Sequence, residues 1–279
     1  NIAKDPEKLN EIFTASNFRG VIHMAGFIQM GESFKKPQKY FENNLGCAEN
    51  VLRAMVTHKV SNMVFSSSAG VYGNPLKLPI DEDDPKNPVN PYGETKLEIE
   101  KMLLKADATN DIHSMSIRYF NAAGAALDGS IGEDHPDESH LIPNALKAAI
   151  KGEEFEVFGD DYETFDGTCV RDYIHVLDLS QTHILALSAL IDGASSNFYN
   201  AGVGRGYSNK EVMEMIKKVT GLSLKIKFGP RRPGDAAELY ASVEKIKREL
   251  GWQPKYGLRE IVESAYLWHK NFPEGYSGK

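Results

Sequence analysis

The chain has 279 residues, 41% of them hydrophobic and 25% charged, with a net charge of −7, an ordinary globular composition long enough for one large domain or two modest ones. The acidic balance and scattered Lys and Arg exclude a nucleic-acid surface, and no apolar run approaches the roughly 18 residues of a membrane span. Two distant cysteines, Cys47 and Cys169, give no metal-ligand spacing and fit free thiols in a reducing, cytoplasmic setting.

From Pro6 to Phe18, Leu9, Ile12 and Phe13 recur at helical spacing, and Gly20 then opens the short apolar strand VIHMAG. A longer helical pattern covers about Gln38 to His58. The strand NMVFSSS follows, then a polar, Pro-rich loop from Asn74 to Pro91, a helix from about Tyr92 to Ala106, and the strand HSMSIRYFNAAG. Helices alternating with short, nearly continuous apolar strands predict βα units around a buried parallel sheet, a doubly wound α/β domain. After Gly124 the pattern fails, because AALDGSIGEDHPDESH is polar, long and broken by Gly and Pro. Beyond it the spacing predicts helix 141–151, strand FEVFG, a loop to Thr168, helix 176–191 and strand NFYNAG. A capping box, Ser208 with Glu211, precedes a helix to about Val219; strand LKIKF and helices near 242–250 and 258–270 close the chain. The second half reads as a smaller α+β unit.

Open parallel sheets bind ligands beyond the carboxyl ends of their strands. Three such ends concentrate polar and small residues: His23-Met24-Ala25-Gly26, Ser66 to Gly73, and Arg118-Tyr119-Phe120-Asn121. The stretch NPYGETK opens the helix between the second and third of these ends, which aims Tyr92 at the same edge. An unperturbed tyrosine has a pKa near 10, so serving as a base near pH 7 requires a change worth about 4 kcal/mol. A cation about 4 Å away at an effective dielectric of about 20 supplies roughly that amount. Lys96, one helical turn on, is placed to be that cation. An i,i+4 surface contact is the competing reading of the same pair.

With Ser68 upstream in SSSAGVYG, Tyr92 and Lys96 resemble the active site of the extended short-chain dehydrogenases. More narrowly, VIHMAGFIQMGES, ENNLG, VFSSSAGVYG, NPYGETK, RYFNAAGA, VFGDDYETFDGTCVRDYIHVLDL and RRPGD follow in order as in the UDP-glucose 4-epimerase family. The resemblance implies a Rossmann-like NAD-binding domain, 1–124 plus about 172–203, and a nucleotide-sugar-binding domain, about 125–171 plus 204–279. It implies NAD-dependent interconversion of UDP-galactose and UDP-glucose through a 4-keto sugar, with Tyr92 as base. Lys96 would lower its pKa, aided by a positively charged nicotinamide ring, and Ser68 would hold the reacting oxygen. Matching cofactor positions are Ala25, Gly26, Asn43, Ser66, Tyr92, Lys96, Tyr119 and Phe120. For the UDP-sugar they are Ser68, Asn121, Leu141, Phe158, Arg171, Arg232 and Asp235. No metal is expected, and a homodimer through the helices after Gln38 and Tyr92 is open.

The front of the resemblance departs from the pattern. Family members begin with a strand, a Gly-rich pyrophosphate loop, a helix and a second strand, and the chain, starting at Asn1, reads as the continuation of something longer. Weak NAD binding by the 279 residues alone is the corresponding expectation. AGVGRG, with Gly202, Gly204 and Gly206, has the wrong spacing for that loop and reads as a strand–helix turn. Ile28 stands where the family often has a lysine, His140 where some members have an amide, and Leu239 at the position that gates N-acetylated sugars. His135 and His140 among acids read as a solvated loop. Ala69-Gly70 after Ser68 leave no acid for a 4,6-dehydratase. The alternatives are a truncated, non-catalytic chain that binds nucleotide sugar and an epimerase acting on N-acetylated sugars.

Overall fold

The computed structural model describes residues 1–232 and 235–278, so Pro233 and Gly234 of RRPGD lie outside the described residues. Helix α1 (Pro6–Ala15), capped by the Asp5 side chain, which accepts from Lys8 N at 3.0 Å, leads to strand β1 (Val21–His23). Helices α2 (Met30–Lys35) and α3 (Pro37–Tyr40) follow, and α3 continues through a π-helical turn, Phe41–Leu45, into α4 (Gly46–His58). Strand β2 (Asn62–Ser66), α5 (Pro91–Asn110) and β3 (His113–Tyr119) come next. The Asn90 side chain accepts from Gly93 N at 2.8 Å and Pro91 fills the first helical position, so α5 starts where the NPYG sequence dictates. The rest of the chain forms β4 (Asn121–Ala123), α6 (Leu141–Lys151), β5 (Glu154–Phe158), β6 (Val170–Arg171), β7 (Tyr173–His175) and α7 (Val176–Ile191). Then come β8 (Asn197–Ala201), β9 (Tyr207–Ser208), α8 (Asn209–Thr220), β10 (Lys225–Gly229), β11 (Glu238–Leu239), α9 (Glu244–Leu250) and α10 (Leu258–Asn271).

Four strands make a parallel sheet in the order β1-β2-β3-β8. Alternation along β2 sends Met63 and Phe65 into a core with α1, α4 and α5, and Val64 into a second core with α7. Helices therefore cover both faces, as the doubly wound α/β reading expects. Among the described residues no helix is long and apolar enough to cross a membrane.

The expected single strand HSMSIRYFNAAG divides into two. Phe120 donates its N–H to Ala201 O at 3.2 Å and buries its ring, and the chain then turns to pair β4 with β7. Nothing in an apolar run marks the point where a strand changes sheets. A separate core packs α6, α8 and α10 around Ile142, Leu146, Val212, Ile216, Ile261 and Val262. Beside it lie the β10-β5 pair and the small sheet β11-β6-β9. The capping box forms: Ser208 Oγ accepts from Glu211 N at 3.0 Å and Glu211 Oε2 accepts from Ser208 N at 2.8 Å.

Candidate active site

The end of β2 and the start of α5 place three side chains together. Lys96 is buried, its Nζ donates to Ser66 O at 2.7 Å and lies 4.8 Å from the Phe65 ring centre and 5.7 Å from that of Tyr92. Burial pulls its pKa down to about 8, with Glu100 opposing. Tyr92 is buried with its ring and Ser68 Oγ both against Gly70, and Ser68 Oγ accepts from Gly70 N at 3.0 Å. Burial drives the Tyr92 phenol well above its ordinary value, and Tyr119 adds to the rise while Ser68 opposes it. In the protein alone desolvation outweighs the other influences on the phenol, and the Lys96 ammonium is engaged with the Ser66 carbonyl. The helix and the β2 loop meet backbone to backbone, since a Cβ on Gly93 would stand 2.5 Å from Gly70 O.

Ser66 faces the other way. His183 Nδ1 sits 2.8 Å from Leu179 O and must carry the ring proton, so Nε2 accepts from Ser66 Oγ at 2.7 Å. Burial holds His183 below its usual pKa, consistent with a neutral ring. At the end of β1, His23 is buried against the Phe65 ring with its Nε2 unpartnered among the described residues, and burial, then Lys96, lowers it to about 4. Ala25 is exposed and Gly26 half-buried, where a Cβ on Gly26 would meet Asn44 Oδ1 at 3.1 Å. Asn44, in the π-helical turn, accepts from Phe27 N at 2.8 Å and donates to Phe27 O and Thr95 Oγ1, both at 3.1 Å. Asn43 is half-buried beside it and donates to Asn44 Oδ1 at 3.2 Å. Tyr119 ends β3, and Phe120 is buried against Val71 and Tyr72.

The second group of candidates gathers around β6 and β11. Arg171 pairs in register with Leu239, and its guanidinium is 3.6 Å from Asp235. Asp235 N donates to Arg232 O at 3.3 Å, and the Arg232 guanidinium stacks 4.1 Å from the Phe158 ring centre. Asn121 donates to Asp172 O from both N, at 3.0 Å, and Nδ2, at 2.9 Å. Leu141, partly buried at the start of α6, also packs on the core of α6, α8 and α10. Leu239 leans on the cluster that contains Phe120, which joins this group to the first. A groove of about 550 Å³ between α7 and residues 251–256 contains none of the candidates.

The model of the GDP-mannose 4,6 dehydratase family matches residues 3–265. A UDP-glucose 4-epimerase of Lactobacillus helveticus is 48% identical over 278 residues, covering 99% of this chain and 84% of that one. The chain belongs to the UDP-glucose 4-epimerase family. Among solved structures of the family, that from Brucella ovis in complex with NAD has a TM-score of 0.92 at 41% identity, covering 95% of this chain and 82% of that one. The one from Bifidobacterium longum in complex with NAD+ and UDP has a TM-score of 0.92 at 38% identity, covering 98% and 83%.

Several residues of this family member escape a reading by motif. Arg118, buried in β3, binds Glu100 through two N–H groups at 2.9 and 2.8 Å, and Ser67 Oγ donates to Glu100 at 2.6 Å. Arg118 also reaches the Tyr72 hydroxyl and Glu82 O, both at 3.0 Å. Asp172, next to Arg171, is fully buried and accepts from Val203 N, Gly204 N and Ala241 N at 2.7, 3.1 and 3.2 Å. A Cβ at Gly202 would strike its carboxylate at 2.3 Å, so AGVGRG is shaped by Asp172 and leads through β9 into α8. Glu100, at i+4 from Lys96, was open to discovery by helical spacing. Asp172 and His183 carried no such signal, because burial alone defines their roles.

Proposed function

We propose that this chain catalyses the NAD-dependent interconversion of UDP-galactose and UDP-glucose through a 4-keto sugar, the epimerase reaction of galactose metabolism. The observation that carries the reading is the buried Tyr92, beside Ser68 and one turn before buried Lys96, in a member of this family. The residues present fit NAD. Lys96 has one acceptor among the described residues for its three N–H groups, and His23 Nε2 is an unpartnered buried nitrogen. Ala25, Gly26, Asn43, Ser66, Lys96, Tyr119 and Phe120 would line that site.

When bound, NAD supplies the two-electron acceptor that takes hydrogen from sugar carbon 4 and returns it to the opposite face. Tyr92 accepts the proton of the 4-hydroxyl and later gives it back, and Ser68 holds the same oxygen. Burial opposes the phenolate, so a cation beside it is needed. Lys96, with its pKa about 8, is largely an ammonium at neutral pH and provides one. Arg171 and Arg232 pair with the pyrophosphate, with Asn121, Leu141, Phe158 and Asp235 around the nucleotide, while the sugar end turns over. Residues 1–124 with about 172–203 hold the cofactor, and the remainder holds the UDP-sugar. The cytoplasm is the setting, and Val56 and Leu104, exposed on α4 and α5, offer a face for a second copy.

Following UDP-galactose conversion to UDP-glucose with NAD supplied tests the proposal. Tyr92→Phe should lower kcat by about 10²–10⁴-fold while the circular dichroism stays unchanged. The reading fails if NAD-loaded protein shows no interconversion, or if Tyr92→Phe turns over normally.

A further inference from the structure

The loop GEDHPDESH is only partly solvated: Gly132, Glu133, His135 and Glu138 are half-buried and its other five residues are exposed. It returns on itself before α6 and gathers Glu133, His135, Glu138 and His140, with one potential ligand atom from each lying within 4.8 Å of the others. His135 Nδ1 is 3.3 Å from Glu133 and 3.4 Å from Glu138, and His140 Nδ1 is 3.4 Å from Glu138 and closer still to Glu133. Three of these four separations exceed the 2.7–3.2 Å of ordinary N–H···O bonds. They match the roughly 3.3 Å edge of a tetrahedron whose corners lie about 2.0–2.1 Å from a central zinc ion.

Charge leads to the same place. The Glu138 and Glu133 side chains are 5% and 19% exposed, and among the described residues neither has a Lys or Arg at ion-pair distance. Two sheltered carboxylates converge on two imidazoles whose ring centres are only 5.5 Å apart. Neutralising them with two imidazolium rings places like charges side by side, whereas one divalent ion supplies both charges at the shared centre. His140 occupies the N-cap of α6, a position favouring Ser, Thr, Asp or Asn, yet its side chain makes no capping bond and is given over to this cluster.

The loop is also held from outside. Trp268 Nε1 donates to Glu133 O at 3.0 Å, Asn144 Nδ2 to Glu138 O at 3.2 Å and Gln29 Nε2 to Asp137 O at 3.0 Å. The ligand atoms are thus presented by a braced backbone rather than gathered at the cost of loop entropy.

We propose that Glu133, His135, Glu138 and His140 form a binding site for a divalent ion of the zinc class, bound by two imidazole nitrogens and two carboxylate oxygens. The ion ties the loop to the first turn of α6 and is structural; nothing in the epimerase reaction depends on it for chemistry. This replaces the expectation of no metal.

Untagged full-length protein, stripped with chelator and dialysed, is titrated with Zn2+ by calorimetry, and bound metal is counted by elemental analysis. One ion per chain is expected, with a rise in Tm. His140→Asn, which places a favourable N-cap at α6, and His135→Asn/His140→Asn should each lose stoichiometric binding and the Zn2+-dependent rise in Tm. Circular dichroism in chelator shows whether the variants keep the parent fold. Should the double variant fail to fold, Co2+ is added to the unaltered protein, where intense visible bands of a tetrahedral site are expected. Weak, octahedral-type bands, absence of saturable Zn2+ binding, or unchanged binding in a folded variant overturns the proposal.

Discussion

Lys96 bears a cost that its role explains. A buried lysine whose pKa is lowered to about 8 is protonated at neutral pH in a site that favours the neutral amine. The unfolded chain keeps that proton up to about pH 10.4, so between pH 8 and 10.4 the unfolded state binds more protons and the folded state gains stability as pH rises. The penalty is fully present below pH 8. Lys96→Met removes it, so the variant's urea midpoint relative to the parent should be most favourable at pH 7 and lose that advantage steadily from pH 8 to 10. A difference flat across that range would show that Lys96 is not strained by burial. Tyr92 and Lys96 were legible because their spacing on a capped helix is itself the signal. His23, His183 and Asp172 were not, since each is an ordinary residue type that becomes significant only when the surrounding elements exclude water.

At the level of elements, helix α5 carries the site because two glycines let it approach the β2 loop. The near contact of Gly93 with Gly70 O leaves no room for a methyl group. An alanine at 93 gains up to about 1 kcal/mol in helix propensity. It also pushes away the loop that bears Ser68, and as little as 1 Å of misplacement can cost about 10²-fold in rate. Gly93→Ala is therefore expected to keep or raise helix content while kcat falls by at least about 10-fold; normal kcat would refute the close fit. Long helices and buried strands were readable from period and composition, and α6 and α7 begin and end where the pattern places them. The π-helical turn at Phe41–Leu45 was hidden inside a continuous helical pattern, yet it turns Asn44 toward Phe27 and Thr95. Strands β6, β7, β9 and β11, two or three residues each, are too short for any periodicity to register.

Across the whole molecule, burial of neutral histidines sets the acid limit. His23 and His269 are both lowered to about 4, by desolvation first and then by Lys96 and Lys147 respectively. The unfolded chain takes up these protons near pH 6.5, so the stability they contribute is complete above 6.5 and is lost as pH falls towards 4. Asp172, raised to about 6 by burial, acts in the opposite sense over part of that range, because the folded state then holds the proton the unfolded state has released. The two histidines outweigh it, and the thermal midpoint should fall between pH 6.5 and 4.5. In His23→Phe, which retains a ring against Phe65, that fall should be smaller; an equal fall would remove His23 from the account. Asp172 has a further consequence. Its carbonyl receives both donors of Asn121, the first residue of β4, and its carboxylate grips residues 203, 204 and 241, while its neighbour Arg171 pairs in register with Leu239. One buried residue thus ties together the start of β4, the turn after β8 and the backbone that follows β11, like a rivet through three plates.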